Sequence, residues 1–224
     1  MIPAYGCSIS DRGSPEKEIP ACVFCFGWKS CALLCHPRPE ELAPTQGIVM
    51  RGKRIAWAMT GAGHALRECV DLLLKHENLD LFLSRAAREV LDMYGLYERI
   101  EVSRPNICRD DAESTPTSCR FAGGMYSVLV VAPATSNSVA KFVHGISDTL
   151  VTNIFAQAGK SRVPIIVYPT DFEPEVASSG PKGDPVKVYP RRVDLENTRR
   201  LSNFEGTKVV FSREELEQCL AGYL

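Results

Sequence analysis

The chain has 224 residues, 45% of them hydrophobic, and its 26 basic side chains stand against 27 acidic ones for a formal net charge of −1. That near balance gives no electrostatic case for nucleic acid, and the longest apolar runs are strand-length, too short to cross a membrane. The N-terminus lacks the basic and apolar regions of a signal peptide, so a cytoplasmic location is the expectation.

Residues 1–49 stand apart from the rest of the chain. Cys22, Cys25, Cys31 and Cys35 cluster there, and a Cys-x-x-Cys followed by two further cysteines has the ligand types for four-thiolate zinc or an iron-sulfur cluster. The spacing fits neither the bacterial ferredoxin run nor a common zinc ribbon, so small unliganded thiols are the competing reading. Met50-Arg51-Gly52-Lys53-Arg54 reads as a natural chain start immediately before the first strand. Residues 1–49 are therefore expected to be an extension, poorly ordered or assigned from an upstream start site, and 50–224 the functional domain.

From Met50 the pattern alternates. Arg54 to Met59 is strand-like, Thr60-Gly61-Ala62-Gly63-His64 is a tight turn, and Leu66, Val70, Leu73 and Leu74 recur on one helical face. Glycines in such a turn let the backbone approach a ligand, and the free amides of the helix start can hold a phosphate. Leu79 to Leu83 is a second strand, after which Ser84 is a candidate N-cap for a helix through Ala87, Val90 and Leu91. Glu98 to Val102 is expected as a short third strand, and Ser103 to Gly124 as a long polar loop.

Val128 to Val131 is a continuous apolar run of the kind buried on both faces of a parallel sheet. Pro133 closes it, and Ala134, Thr135, Ser136 and Asn137 then stand at the carboxyl end of that strand, where open α/β sheets bind ligands. Val139, Phe142, Val143, Ile146 and Leu150 continue at helical spacing. Val163 to Tyr168 is a fifth strand, and Pro169 to Pro185 is a surface loop or flap from which Val186 to Tyr189 returns as a strand. Asp194 is expected to cap a helix carrying Leu195 and Leu201. Lys208 to Phe211 is a last strand, and Ser212 with Glu215 is expected to form a capping box for the terminal helix. This alternation predicts a Rossmann-like (flavodoxin-like) three-layer α/β/α fold with a doubly wound, mostly parallel sheet.

The segment Tyr126 to Asp148 resembles the Pro-Ala-Ser-Ala-Asn-Thr motif of the homo-oligomeric flavin-containing cysteine decarboxylase superfamily, running on into a Gly-Ile-Ala-Asp-like stretch at Gly145-Ile146-Ser147-Asp148. Further segments are similar to the dihydromethanopterin reductase (acceptor) and archaeoflavoprotein branch: Ile55 to Gly63, Val90 to Leu96, Asp148 to Asn153, and Arg192 to Asn197 with Glu205-Gly206. The resemblance covers about Met50 to Phe211 and implies FMN, with the phosphate at Gly61, Ala62, Gly63, His64 and Ser84, and the ribityl chain or ring at Ala134, Thr135, Ser136 and Asn137. It also implies a homo-oligomer built from trimers.

The decarboxylases of that superfamily carry a histidine near the third strand and a Pro-x-Met-Asn-x-x-Met clamp after the fifth. Neither stands in Glu98 to Asn106 or in Pro164 to Asp171, which argues against peptidyl-cysteine decarboxylation. Bound flavin can supply redox chemistry by itself, so no side-chain nucleophile is required. The resemblance then implies a reductase that takes dihydromethanopterin or a related dihydropterin to the tetrahydro form, with electrons from ferredoxin or a flavin-type carrier. A non-catalytic electron-transfer flavoprotein and a flavin-binding storage module are the alternatives, with a flavin-dependent decarboxylase behind them. His144 reads either as a residue at the cofactor edge or as a structural histidine.

Overall fold

A computed structural model of the chain describes residues 54–103, 106–110 and 120–223. Cys22, Cys25, Cys31 and Cys35 lie outside the described residues, as does 111–119 of the loop before the fourth strand. The strands are β1 (Arg54–Met59), β2 (Leu79–Leu83), β3 (Ile107–Arg109), β4 (Tyr126–Ala134), β5 (Ile165–Pro169), β6 (Val176–Ser179), β7 (Pro185–Val188) and β8 (Thr207–Val209). The helices are α1 (Leu66–Leu74), α2 (Arg85–Met93), α3 (Tyr97–Ser103), α4 (Ser136–His144), α5 (Leu150–Lys160), α6 (Arg192–Leu201) and α7 (Arg213–Ala221).

Six strands form one parallel sheet in the order β3-β2-β1-β4-β5-β8, and β6 and β7 form a separate antiparallel hairpin. Alternation along β1 explains the layering. Trp57 points into a core shared with Leu66 and Leu73 of α1, Leu91 of α2 and Leu216 of α7, while Ala56 and Ala58 face the opposite core with Val139 of α4, Ile154 of α5 and Leu201 of α6. Each large apolar side chain buried this way contributes about 1.5–3 kcal/mol relative to exposure. The result is a Rossmann-like three-layer α/β/α fold.

The sheet order fixes where a ligand can sit. The chain runs outward from β1 through β2 to β3, then returns to β4 on the other side of β1. The connections from β1 and β4 leave on opposite faces, which opens a crevice at the carboxyl ends of those two strands.

Several local expectations are corrected. Glu98 to Val102 belongs to helix α3, because Tyr97 and Ile100, three apart, are the buried pair and Val102 is 83% exposed. The third strand is Ile107–Arg109, paired with Leu81–Leu83. The helix after β4 is not continuous to Leu150: α4 ends where Gly145 turns left-handed, Ile146 is 48% exposed, and α5 starts afresh on a Thr149 and Thr152 capping box. Asp194 is not the N-cap of α6 but its third residue, reaching back to accept the Arg191 backbone N–H at 2.9 Å. Ser212 caps α7, whereas Glu215 accepts from Phe211 N and not from Ser212.

Candidate functional site

The floor of the crevice is stitched by short hydrogen bonds. Thr60, buried at the end of β1, donates its hydroxyl to Pro133 O at 3.0 Å and accepts from Thr135 N at 2.8 Å. Thr170, just past β5, donates its amide to Ala134 O at 3.0 Å. Three strand ends are thus held in register where buried backbone groups would otherwise lack partners. Thr135 caps α4, its Oγ1 accepting from Ser138 N at 3.3 Å, and the Ser136 amide donates to Asp171 Oδ2 at 3.3 Å.

The turn after β1 passes close beneath two neighbours. A Cβ on Gly61 would come within 2.6 Å of the Ala86 Cβ in the first turn of α2, and one on Gly63 would run into the Tyr94 hydroxyl. Ala65 then adopts a left-handed φ of 56° and offers no side-chain cap to α1. A non-glycine residue in that region costs on the order of 1–2 kcal/mol. The leading amides of α1 lack a side-chain cap and adjoin a hollow of about 320 Å³ whose lining includes His64, Arg67, Glu68, Tyr94 and Ser178. Arg67 lies over the Tyr94 ring, 5.6 Å from its centre, and donates to Pro181 O at 3.5 Å.

An adjoining cleft of about 340 Å³ shares Gly63, His64 and Tyr94 with that hollow. Its walls bring together Ala62, Gly63 and His64 from the first turn, Thr135, Ser136 and Asn137 from the start of α4, and Thr170 with Asp171 after β5. The β6–β7 hairpin supplies the remaining side through Val176, Ser178, Val186 and Val188. Three sequence-expected residues stand behind this lining. Gly61 packs on Ala86, Ala134 is fully buried with its carbonyl given to Thr170, and Ser84 spends its hydroxyl on the Ala87 amide at 3.0 Å as the cap of α2. Asn137 is exposed and takes no part in the α4 cap, which Thr135 provides. His144 is exposed in the last turn of α4, at the end away from the cleft.

Thr60, Tyr94, Thr170 and Asp171 were not expected in the site. Thr60 and Thr170 each directly follow a buried strand, a position that reads as carboxyl edge once the strand is recognised. Tyr94 follows α2 and carries no such local signal. Among the described residues no three His, Cys, Asp or Glu side chains converge as a metal site requires. No helix among them is long and apolar enough to cross a membrane.

Residues 46–222 match the Flavoprotein family. The chain belongs to that family. An uncharacterized protein of Methanocaldococcus jannaschii is 34% identical over 76% of this flavoprotein and 96% of its own length. A dihydromethanopterin reductase (acceptor) of Methanosarcina mazei is 42% identical over 59% of this chain, which spans 61% of that enzyme's length. Among solved structures, Burkholderia xenovorans DmrB in complex with FMN, described as a cubic protein cage for redox transfer, is 42% identical and superposes with a TM-score of 0.71 over 77% of this chain and 96% of its own.

Proposed function

We propose that this flavoprotein is an FMN-dependent oxidoreductase that reduces dihydromethanopterin or a related dihydropterin to its tetrahydro form, with electrons from ferredoxin or a flavin-type carrier. The observation that carries the reading is a polar, glycine-floored crevice at the sheet's switch point in a chain 42% identical, over most of its folded part, to FMN-bound DmrB. The residues present fit the cofactor. The uncapped start of α1 with Gly63, His64 and nearby Arg67 suits a phosphate, with Glu68 in the same first turn as the one opposing charge. The Ser136 hydroxyl and Asn137 amide suit the ribityl chain or the polar edge of the ring, while Thr135, its hydroxyl engaged by Ser138 in the α4 cap, borders the same cleft. Ser84 stands at the end of the neighbouring strand, and because its hydroxyl is engaged in the α2 cap it contributes by placing that helix end.

Bound FMN would supply the hydride or electron transfer. The protein's own work is to hold and orient. Thr60 and Thr170 keep the strand ends that bear the cleft residues from drifting apart, and a floor already hydrogen-bonded within the protein has no polar groups left to reorganise when a ligand arrives. Val176, Val186 and Val188 present apolar surface on the hairpin side, which favours a flat aromatic ligand and excludes water.

Residues 50–224 constitute the FMN-binding domain in this reading, with 1–49 dispensable for cofactor binding, and the protein is a homo-oligomer built from trimers. The test is direct. The full chain is purified, its released cofactor identified, and the photoreduced protein mixed anaerobically with a dihydropterin. FMN and a return of oxidised flavin absorbance with tetrahydropterin formed are the expected results. FMN with no reoxidation by the pterin, but rapid reoxidation by an electron acceptor, would move the protein to the electron-transfer class.

A further inference from the structure

We propose that Asp171 selects the substrate of this cleft, its carboxylate accepting paired N–H donors on the edge of an aminopyrimidinone heterocycle. The proposal rests on the reductase reading above and identifies the residue that would read the substrate. Asp171 directly follows the Thr170 fastening after β5 and is held at two further points. Its Oδ2 accepts the Ser136 amide at 3.3 Å, and its carbonyl accepts the Thr198 hydroxyl of α6 at 3.0 Å. The Thr198 bond holds the backbone and the Ser136 bond engages Oδ2, which leaves Oδ1 as the remaining acceptor. Oδ1 receives no hydrogen bond from the described residues, although the Arg191 guanidinium is near enough for its charge and that of Asp171 to interact, and Asp171 is the one carboxylate among the described residues that line the cleft.

Charge and geometry then decide what can face it. A carboxylate shielded from water by a bound ligand needs N–H partners, since an unpaired acceptor there forfeits its hydration. The pyrimidine edge of a flavin ring offers a single N–H flanked by two carbonyl oxygens, so a carboxylate opposite that edge meets two like dipoles. The corresponding edge of a pterin offers a ring N–H beside an exocyclic amino group, two adjacent donors that match a carboxylate in the two-pronged, charge-assisted manner. Asp171 thus disfavours a second flavin edge and favours a pterin in the same cleft. The neutral lining of the cleft cannot make that distinction, because Thr135, Ser136, Asn137 and Ser178 can each either donate or accept.

The test compares pterin with lumazine, which carries a carbonyl where pterin carries the amino group. Both are oxidised, so binding to the FMN-loaded full chain is read at equilibrium without turnover. The native protein should bind pterin at least about tenfold more tightly than lumazine, about 1.4 kcal/mol. Asp171→Asn keeps an oxygen for the Ser136 amide, and Asp171→Ser removes the charge without adding the amide's donor. In both variants FMN content should persist and the preference for pterin should vanish through loss of pterin affinity. A preference that survives both substitutions overturns the role of Asp171 and leaves the reductase reading intact. Loss of FMN in both variants overturns it as well, by assigning Asp171 to the flavin or to the α4 terminus. Native FMN-loaded protein that binds neither heterocycle overturns the reductase reading and this inference together.

Discussion

Thr60, at the carboxyl end of β1, is 2% exposed and ties β1 to β4 through its hydroxyl, whereas Val188 at the end of β7 and Tyr189 beside it are 39% and 66% exposed. The floor is made from the same hydrogen bonds that hold the sheet, so it cannot loosen without disturbing the fold. The hairpin is two strands long and outside the main sheet, a construction that is marginal by itself in water. Its attachments include Tyr94 Oη to Ser179 O at 2.9 Å and Arg67 to Pro181 O at 3.5 Å, both at exposed positions. Precision in this site therefore belongs to the floor. The hairpin supplies coverage.

The largest expected effect tests the floor where it meets the ligand. Gly63→Glu adds bulk and negative charge beside the uncapped start of α1, where the phosphate is proposed to lie. The atom it meets first is the tip of the Tyr94 side chain, which can swing aside, so the fold should survive while FMN retention is abolished. A folded variant with near-normal flavin content would show that the phosphate lies elsewhere.

Thr60→Val asks whether the floor's order is what holds it together. The substitution keeps shape and deletes the hydroxyl that serves both Pro133 O and Thr135 N. Leaving a buried amide without its acceptor costs about 1–3 kcal/mol. Thermal unfolding should fall by roughly 2–4 °C for each kcal/mol lost in a domain of this size, and FMN affinity should fall with it. An unchanged Tm would mean that other bonds define the floor.

The same contrast separates what could be read from the sequence from what could not. β1 and β2 were legible to the residue, because a strand buried on both faces leaves a mainly apolar run ended by a turn, with the partly buried Arg54–Asp80 pair as the exception in these two strands. The cleft residues of the first turn and of Thr135 to Asn137 were legible for the same reason, since each follows such a run. α3 was not, because Ile100 and Val102 alternate like a strand and only the packing of Tyr97 with Ile100 reveals the helical period. Tyr94 reaches the cleft through tertiary approach, which no local pattern encodes, whereas Asp171, two residues past β5, stands at a carboxyl edge. The break at Gly145 was hidden by the helical spacing of Ile146 and Leu150, although a glycine able to adopt φ of 69° stood between the two helices.

A smaller effect concerns the helix that anchors the floor from behind. The Arg191 guanidinium, hydrogen-bonded to Asp194, holds that carboxyl below its usual range, helped by the Arg191 backbone amide and opposed by partial burial. A folded-state pKa below the unfolded value means that the stabilisation is fully present above the unfolded value of about 3.9 and is lost as pH falls through the depressed folded one. Asp194→Asn should therefore destabilise at neutral pH, by about 1 kcal/mol given how exposed Arg191 is. Its unfolding curve should converge on that of the native chain in strong acid. Equal stability of the two chains at neutral pH would assign the helix start to the backbone alone.

The smallest expected effect tests the hairpin. Tyr94→Phe removes the bond to Ser179 O and keeps the ring against Arg67. The hydroxyl is exposed, so water replaces the lost partner and the cost sits at the low end for a hydrogen bond, about 0.5 kcal/mol. Because the hairpin lies outside the main sheet, that cost should fall on local opening and leave global unfolding alone. Amide exchange across β6 and β7 should then quicken by about twofold, with the core strands and the Tm unchanged. If the Tm instead dropped by several degrees, the hairpin would unfold with the sheet as one cooperative unit, and the division between a rigid floor and a loosely attached cover would be wrong.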